Sequence, residues 1–201
     1  MSHYFQNDET LGSKPRTVNY SFKGVDFSLT SDLGVFSKNE LDRGSKILIK
    51  TLLPLSLGSN LLDLGCGIGP IGLTLAYFTP GLNVTLSDVN TRALSLCNNN
   101  ARTLKLSQRV TILQSDIYEK IEGKFDSIVS NPPIRAGKKV TYEIYRGALS
   151  HLIDGGSLYI VIRKEQGAKS VKDYLEELFG NVAVLAREKG YFVLKASKVS
   201  R

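Results

Sequence analysis

The sequence predicts an α/β fold with a mostly parallel sheet covered by helices on both faces. Three observations predict it. From Asn60 onward, short apolar runs typical of strands alternate with longer segments of helical periodicity. The closing segment NVAVLAREKGYFVLKA contains two strand-like runs joined at Lys189-Gly190, which predicts an antiparallel hairpin. The length of 201 residues and the hydrophobic content of 42% fit one domain with a substantial core.

The part that precedes this alternation has a different pattern. TVNYSFKGVDFSLT consists of two short alternating runs joined at Lys23-Gly24, which predicts a β-hairpin. We therefore expect residues 1–40 to form an N-terminal extension whose hairpin packs on a main domain of residues 41–201.

The elements of the main domain follow in a regular order. GVFSKNELDRGSKILIKTLL is typical of a helix, with Ser37 or Asn39 as its cap. The predicted strands are LLDL, NVTLSD, RVTILQSD, FDSIVSN and GSLYIVIR. They alternate with a helix that ends near Tyr77 and with the helices TRALSLCNNNARTLK, 140–152 and KSVKDYLEELF.

The composition narrows the class of protein. From the polar, acidic start MSHYFQNDET we expect neither a secretory signal nor a transit peptide. The longest purely apolar stretch, LYIVI, is too short to span a bilayer. Two cysteines, Cys66 and Cys97, indicate neither a disulfide framework nor a metal-binding cluster. We expect a cytoplasmic protein, monomer or homodimer, that binds no metal and no membrane.

The net charge of +7 is unevenly distributed along the chain. Six of these seven charges arise from Asn131 onward. Arg135, Lys138 and Lys139 open this basic part directly after a proline-rich turn. An excess of positive charge on one side of a protein indicates a polyanionic partner.

The first candidate binding loop is DLGCGIGPIG, residues 63–72. Its glycines let the backbone turn tightly and approach a ligand closely. The segment satisfies the dinucleotide pattern G-x-G-x-x-G. However, the charge of Asp63 would repel a pyrophosphate and suit a cationic ligand, and Pro70 lacks an amide that a phosphate would use.

Two further acidic residues end the next two predicted strands. Asp88, in SDVN, can accept hydrogen bonds from both hydroxyls of a ribose. Asp116, in QSDI, can accept from the amine of an adenine, with Ile117 packing on the ring. Because ligands bind at the carboxyl ends of strands in an open α/β sheet, these residues and the glycine loop predict a nucleoside site.

The fourth group is the corner SNPPIRAGK, residues 130–138, which ends the strand FDSIV. Proline has no amide hydrogen and cannot continue a central strand. The two prolines also restrict the backbone, so the corner is expected to be rigid.

These motifs together resemble the class I S-adenosylmethionine (SAM)-dependent methyltransferases. DLGCGIGPIG resembles their cofactor loop, and NPPI matches the [DNS]-P-P-[YFWI] corner of the members that methylate amines. HYF near the start, TSDLGVFSKNELDRG and NPPIRAGK resemble RsmC-like ribosomal RNA guanine-N2 methyltransferases. RsmC itself resembles a tandem duplication, whereas this chain has room for one domain. The fourth corner position holds Ile134 where many members have Tyr or Phe.

The resemblance implies a Rossmann-like seven-stranded sheet, SAM as methyl donor, and the N2 amine of a guanine in small-subunit ribosomal RNA as target. The implied cofactor-binding residues are Phe36, Asp63, Gly65, Cys66, Gly67, Asp88, Val89, Asp116, Ile117 and Asn131. The implied catalytic residues are Asn131, Pro132, Pro133 and Ile134. The implied RNA contacts are Arg135, Lys138 and Lys139.

Other functions stay open at this point. The same corner chemistry serves adenine N6 in nucleic acids or a glutamine side chain in a protein. The literal G-x-G-x-x-G suggests an NAD(P)-dependent oxidoreductase, although no catalytic Tyr-Lys or His-Asp pair accompanies it. A non-catalytic RNA-binding protein that keeps the fold is the remaining possibility.

Overall fold

A computed structural model of the chain describes residues 12–33, 35, 40–132 and 137–200. The strands in these ranges are β1 (Arg16–Phe22), β2 (Val25–Ser31), β3 (Asn60–Leu64), β4 (Asn83–Asp88), β5 (Val110–Gln114), β6 (Phe125–Ser130), β7 (Leu152–Arg163), β8 (Ala183–Glu188) and β9 (Tyr191–Ser197). The helices are α1 (Arg43–Leu52), α2 (Pro70–Phe78), α3 (Thr91–Thr103), α4 (Lys138–His151) and α5 (Ala168–Phe179). A short 3-10 turn, Lys164–Gln166, follows β7.

Seven strands form one sheet in the order β5-β4-β3-β6-β7-β9-β8. The strands β3 to β7 are mutually parallel, and β9 is antiparallel to both of its neighbours. This arrangement confirms the predicted fold, including its closing hairpin. The chain builds outward from β3 to β5 and then returns to place β6 on the other side of β3. A reversal of this kind leaves a ligand-binding crevice at the carboxyl ends of the two strands.

Each face of the sheet carries its own core. Side chains alternate between the two faces, so Leu61 and Val129 pack with α1, α2 and α3, whereas Leu62 and Ile128 pack with α4 and α5. Strands covered on both faces must be apolar at successive positions, which explains their continuous runs. The prediction of helices on both faces is therefore confirmed.

The strands β1 and β2 form the predicted antiparallel hairpin, a separate two-stranded sheet. Its buried face belongs to the same core as α1, α2 and α3. The Tyr20 ring stacks on Phe27 with ring centroids 5.1 Å apart, and its hydroxyl hydrogen-bonds to the Thr74 hydroxyl in α2 at 2.9 Å. The hairpin thus packs on the helices α2 and α3, and a domain boundary near residue 40 stays a prediction.

The helix α1 starts later than the sequence suggested. Asp42 is its N-cap, because the Asp42 carboxylate accepts a hydrogen bond from the Ser45 amide at 3.0 Å. The prediction of Ser37 or Asn39 as cap was therefore wrong. In the part of the chain that the structure describes, no helix is both long and apolar enough to cross a membrane.

Candidate active site

The glycine loop between β3 and α2 lies at the carboxyl edge of the sheet. Gly65 and Gly67 have φ of 75° and 56°, in the left-handed region that favours glycine. The amides of Gly65 and Cys66 donate to the Ser87 carbonyl at 2.8 and 2.9 Å, which fastens the loop to β4. The space where a Cβ of Gly65 would lie is open to 4 Å. The loop is therefore held to β4 by these hydrogen bonds, and the space beside Gly65 is open to a ligand.

Asp88 holds this loop from the end of β4. Its two carboxylate oxygens accept hydrogen bonds from the Gly67 amide at 2.8 Å and the Asn90 amide at 2.9 Å. Burial raises the pKa of Asp88, although its hydrogen bonds to Asn90 and Gly67 oppose that rise. Asn90 caps α3 by accepting from the Ala93 amide, so Asp88 is not needed as a cap. Each oxygen of Asp88 keeps capacity for a further hydrogen bond, which a ribose hydroxyl could donate.

Asp63 lies under the loop and is buried, with 1% of its surface exposed. One oxygen accepts from the Gly72 amide at 2.8 Å, and the other has no hydrogen-bond partner among the described residues. The pKa of Asp63 is raised to about 7, mainly by burial and in smaller part by the charge of Asp88, and the hydrogen bond from the Gly72 amide opposes this rise. A half-satisfied buried carboxyl of this kind favours a nearby positive charge.

The raised pKa of Asp63 makes protein stability depend on pH. Between the unfolded value of 3.8 and the folded value of about 7, the folded chain holds a proton that the unfolded chain has lost. The stabilisation is therefore complete below the unfolded pKa and is lost as the pH rises to about 7. We expect Asp63→Asn, which stays neutral, to raise the melting temperature of the ligand-free protein at pH 8 by several degrees relative to wild type.

The same comparison at pH 4.5 provides the control, because Asp63 is neutral there in the folded wild type. The variant's advantage in melting temperature should shrink markedly at that pH. An equal difference in melting temperature at both pH values would show that Asp63 ionises normally in the folded protein.

The amides of the loop are largely used within the protein. Asp63 takes the Gly72 amide, Asp88 takes the Gly67 amide, and the Gly69 amide donates to the Cys66 carbonyl at 2.9 Å. A pyrophosphate needs free amides at this position. The loop therefore matches a dinucleotide motif in its letters but does not present the donors that a dinucleotide requires.

Cys66 and Val89 flank these groups. Cys66 is buried, and this burial, with a smaller contribution from the nearby Cys97, raises the pKa of its thiol. Cys66 is therefore expected to stay a thiol and not to act as a thiolate nucleophile. Val89 is half-buried after β4, and its carbonyl accepts from the Gln114 side chain at 3.3 Å.

The end of β5 brings Asp116 and Ile117 to the same edge. The Ser115 amide donates to the Asp88 carbonyl at 3.1 Å, which joins this loop to the previous one. Asp116 is exposed and Ile117 is half-buried. Ile117 has a φ of 48°, a backbone conformation that costs a β-branched residue roughly 1–3 kcal/mol. Strain of this kind clusters at binding sites, which supports the predicted contact of Ile117 with a ligand.

The Asn-Pro corner lies beside β3, at the crevice between β3 and β6. The Ser130 hydroxyl donates to the Leu64 carbonyl at 2.8 Å and ties the end of β6 to the start of the glycine loop. Asn131 is half-buried and Pro132 is buried. The side-chain amide nitrogen of Asn131 donates to an Asp42 carboxylate oxygen at 3.0 Å and to the Ser45 hydroxyl at 3.1 Å.

Asp42 and Ser45 were missed as site residues by sequence reasoning. They stand 89 and 86 positions from Asn131, and only the packing of α1 against the corner brings them together. The available signal was the cap pattern in LDRGS, an Asp three residues before a polar residue at a helix start.

Some predicted residues lie outside the described part of the chain: Phe36, Pro133, Ile134 and Arg135. Lys138 and Lys139 are exposed in the first turn of α4. The N-cap of this helix is Gly137, which offers no side-chain hydrogen bond, and the first turn contains no acidic residue. Two lysines at the N-terminal end of a helix form a region that attracts an anion.

The reversal of strand order, the clasped glycine loop and the adjacent Asn-Pro corner define a Rossmann-like methyltransferase. A family model described as "Methyltransferase small domain" matches residues 26–195, and the chain belongs to that family.

Similar proteins agree with this assignment. The chain is 43% identical over 199 residues to "Uncharacterized protein YbxB" of Bacillus subtilis (strain 168), and the match covers 98% of each chain. It is 39% identical over 158 residues to "Ribosomal RNA small subunit methyltransferase C" of Mannheimia succiniciproducens, covering 77% of this chain and 46% of that one. The chain thus spans about half the length of the methyltransferase C relatives.

A solved structure is similar over nearly the whole chain. It is the T. thermophilus 16S rRNA N2 methyltransferase RsmC in complex with AdoMet and guanosine. The TM-score is 0.81 at 28% sequence identity, and the match covers 94% of this chain and 52% of RsmC.

Proposed function

We propose that the protein transfers a methyl group from SAM to the exocyclic N2 amine of a guanine in ribosomal RNA of the small-subunit type. The observation that carries the proposal is the orientation of Asn131. Its side-chain amide nitrogen donates to Asp42 and Ser45 at the start of α1, so its carbonyl oxygen is the atom left to accept from an amine. The names of the methyltransferase C relatives and of RsmC support ribosomal RNA as the substrate.

The residues at the carboxyl edge fit SAM. The unpartnered oxygen of Asp63 suits a cationic ligand, and the open space above Gly65 suits a chain that passes close to the backbone. Bound SAM would supply a methyl group activated by a positively charged sulfur. The residues that would hold it are Phe36, Asp63, Gly65, Cys66 and Gly67 along the methionine part, Asp88 and Val89 at the ribose, Asp116 and Ile117 at the adenine, and Asn131 beside the methyl group.

The corner would activate the target amine. The lone pair of a guanine N2 amine is delocalised into the ring, which makes the nitrogen a poor nucleophile. Two acceptors on its hydrogens, the Asn131 side-chain oxygen and the Pro132 backbone carbonyl, favour a pyramidal nitrogen and direct the lone pair at the methyl carbon. Pro133 and Ile134, the next residues of the corner, are the remaining positions proposed for catalysis.

The reaction needs no strong base in the protein. The amine lone pair forms the new nitrogen–carbon bond as the carbon–sulfur bond breaks, and the electron pair of that bond stays on the sulfur. The methylated nitrogen then carries a positive charge and releases one proton to water.

The basic face around the corner supports a nucleic acid as substrate. Arg135, Lys138 and Lys139 follow the corner directly. The carboxyl edge also carries Lys164 directly after β7 and Lys189 in the β8–β9 turn, whereas Arg163 at the end of β7 is paired with Glu165 at 3.4 Å. A protein substrate would not require this concentration of positive charge.

Loss of the two lysines in α4 should weaken RNA binding. We expect Lys138→Ala/Lys139→Ala to lower the affinity for a ribosomal RNA fragment and to reduce the salt dependence of log K by roughly 1.5, because about 0.7–0.9 is expected for each lost phosphate contact. Affinity measured by fluorescence anisotropy at four salt concentrations provides the slope.

The matched control is Arg102→Ala/Lys124→Ala, which removes two exposed positive charges near the opposite edge of the sheet. This variant should keep the salt slope of the wild type. Equal slopes for both double variants would show that Lys138 and Lys139 make no phosphate contacts.

The methyl-transfer proposal is tested in two steps. SAM or S-adenosylhomocysteine should raise the melting temperature and NAD(P)H should not, because the loop amides that a pyrophosphate needs are occupied. Labelled SAM should then transfer its methyl group to ribosomal RNA from a strain that lacks the gene, and nucleoside mapping should find N2-methylguanine. Label found on adenine N6 or on a protein glutamine would show that this group, and not the guanine amine, is the methyl acceptor.

A further inference from the structure

The contact between the start of α1 and the Asn-Pro corner fixes which end of the Asn131 side-chain amide faces α1. The Asn131 side chain has a donating nitrogen and an accepting oxygen that are similar in shape, so its orientation follows from its neighbours. An ionised carboxylate can only accept hydrogen bonds. The Asp42 oxygen 3.0 Å away therefore requires that the nitrogen of Asn131 face α1 and that its oxygen face the other way.

The surroundings of this contact leave little freedom. Gly44, between Asp42 and Ser45, is buried. A Cβ on Gly44 would lie 3.2 Å from the Asp42 oxygen, 3.2 Å from the Tyr191 ring and 3.3 Å from the Asn131 amide nitrogen. Ser45 is 4% exposed. The hydrogen bond between Asp42 and Asn131 thus lies in a close-packed region where electrostatic interactions are stronger than in water.

We propose that Asp42 is a positioning residue that polarises the Asn131 amide and so makes its oxygen a stronger acceptor for the target amine. A carboxylate on the N–H of an amide shifts electron density toward the amide oxygen, because hydrogen bonds in a chain reinforce one another. Asn131 remains neutral, so the pocket avoids burying a carboxylate against the amine.

Helix capping alone does not account for the arrangement. A cap needs only to accept from the Ser45 amide, which the same Asp42 oxygen does at 3.0 Å. Asn and Ser cap helices about as well as Asp, but neither carries a charge. The proposal rests on the methyl-transfer function and holds for an amine acceptor in RNA or in protein.

The decisive variant is Asp42→Asn, which keeps the cap oxygen and the shape but removes the charge. We expect its kcat to fall about 10-fold or more while KM for SAM and for the RNA stays within about twofold. An unchanged kcat would overturn the proposal, because a capping role alone survives this substitution. Ile49→Val, a buried change one turn after Ser45 in α1, controls for a general loss of helix stability and should keep the wild-type kcat.

A double-mutant cycle shows whether Asp42 acts through Asn131. In an Asn131→Ala background, Asp42→Asn should cause no further loss of kcat, since the amide that it polarises is gone. A second loss of about 10-fold in that background would place the effect of Asp42 elsewhere and contradict the proposal.

A measurement without turnover separates this proposal from the proposed function. The side-chain amide protons of Asn131, followed by NMR in the ligand-free protein, should move upfield in Asp42→Asn because a charged acceptor is replaced by a neutral one. Unmoved resonances would overturn the role of Asp42 whatever the substrate is. Labelled methyl found in protein instead of RNA would refute the proposed substrate and leave the role of Asp42 to be decided by the kcat of that reaction and by the resonances.

Discussion

Asn131→Ala should abolish most methyl transfer and leave SAM binding intact. The substitution removes the side-chain acceptor that would hold the target amine, and the loss of one preorganised group of this kind typically lowers kcat by roughly 100- to 1,000-fold. Asn131 lies at the end of β6, while the glycine loop is fastened by Asp63, Asp88 and Ser87, so the cofactor loop should keep its structure. Single-turnover transfer of a labelled methyl group and SAM affinity by calorimetry measure the two effects.

Two outcomes would contradict this expectation. Retained transfer would show that Asn131 does not hold the amine. A loss of SAM affinity as large as the loss of kcat would show that Asn131 serves mainly the cofactor. Thr141→Ser, a conservative change in the first turn of α4 after the corner, is a control that should keep both activities.

Asp88→Asn should lower the affinity for SAM by about 100-fold, or about 2.7 kcal/mol. Both oxygens of Asp88 accept backbone amides, from Gly67 on one side and Asn90 on the other. An asparagine has only one accepting oxygen, so its amide nitrogen would face one of these donors. The glycine loop would lose its support and the ribose would lose an acceptor.

Asp126→Asn is the matched control for this change. The Asp126 carboxylate also accepts two backbone amides, from Ser59 at 3.1 Å and Asn60 at 2.9 Å, but it lies at the start of β6, at the opposite edge of the sheet. Both bonds go to the same oxygen, so asparagine can preserve them. Its SAM affinity should equal that of wild type, and an equal loss of affinity in both variants would mean that the effect is one of general stability.

The fold was predictable from the sequence because its signals are local. Buried parallel strands are apolar at successive positions, and each glycine or proline interruption marks the end of a strand. Since parallel strands place their carboxyl ends at one edge, the positions of Asp88, Asp116 and Asn131 at strand ends were enough to assign them to one region.

The hydrogen bonds within the site were not predictable in the same way. The sequence suggested that Asp63 and Asp88 face a ligand, and the structure shows that both first bind amides of the glycine loop. The orientation of Asn131 depends on Asp42 and Ser45, which come from a helix far away in the chain. Contacts between distant segments depend on packing, which periodicity and turn residues do not specify.

The side chain of Asn100 has a consequence for the design of fragments. It accepts from the Thr30 amide at 2.8 Å and donates to the carbonyls of Thr30 and Ile68, both at 3.1 Å. One buried amide therefore joins the hairpin, the glycine loop and α3. A fragment that begins at residue 41 would leave this amide without its Thr30 partners, next to the loop proposed to bind SAM. The smallest fragment that keeps the glycine loop intact is therefore expected to include β1 and β2.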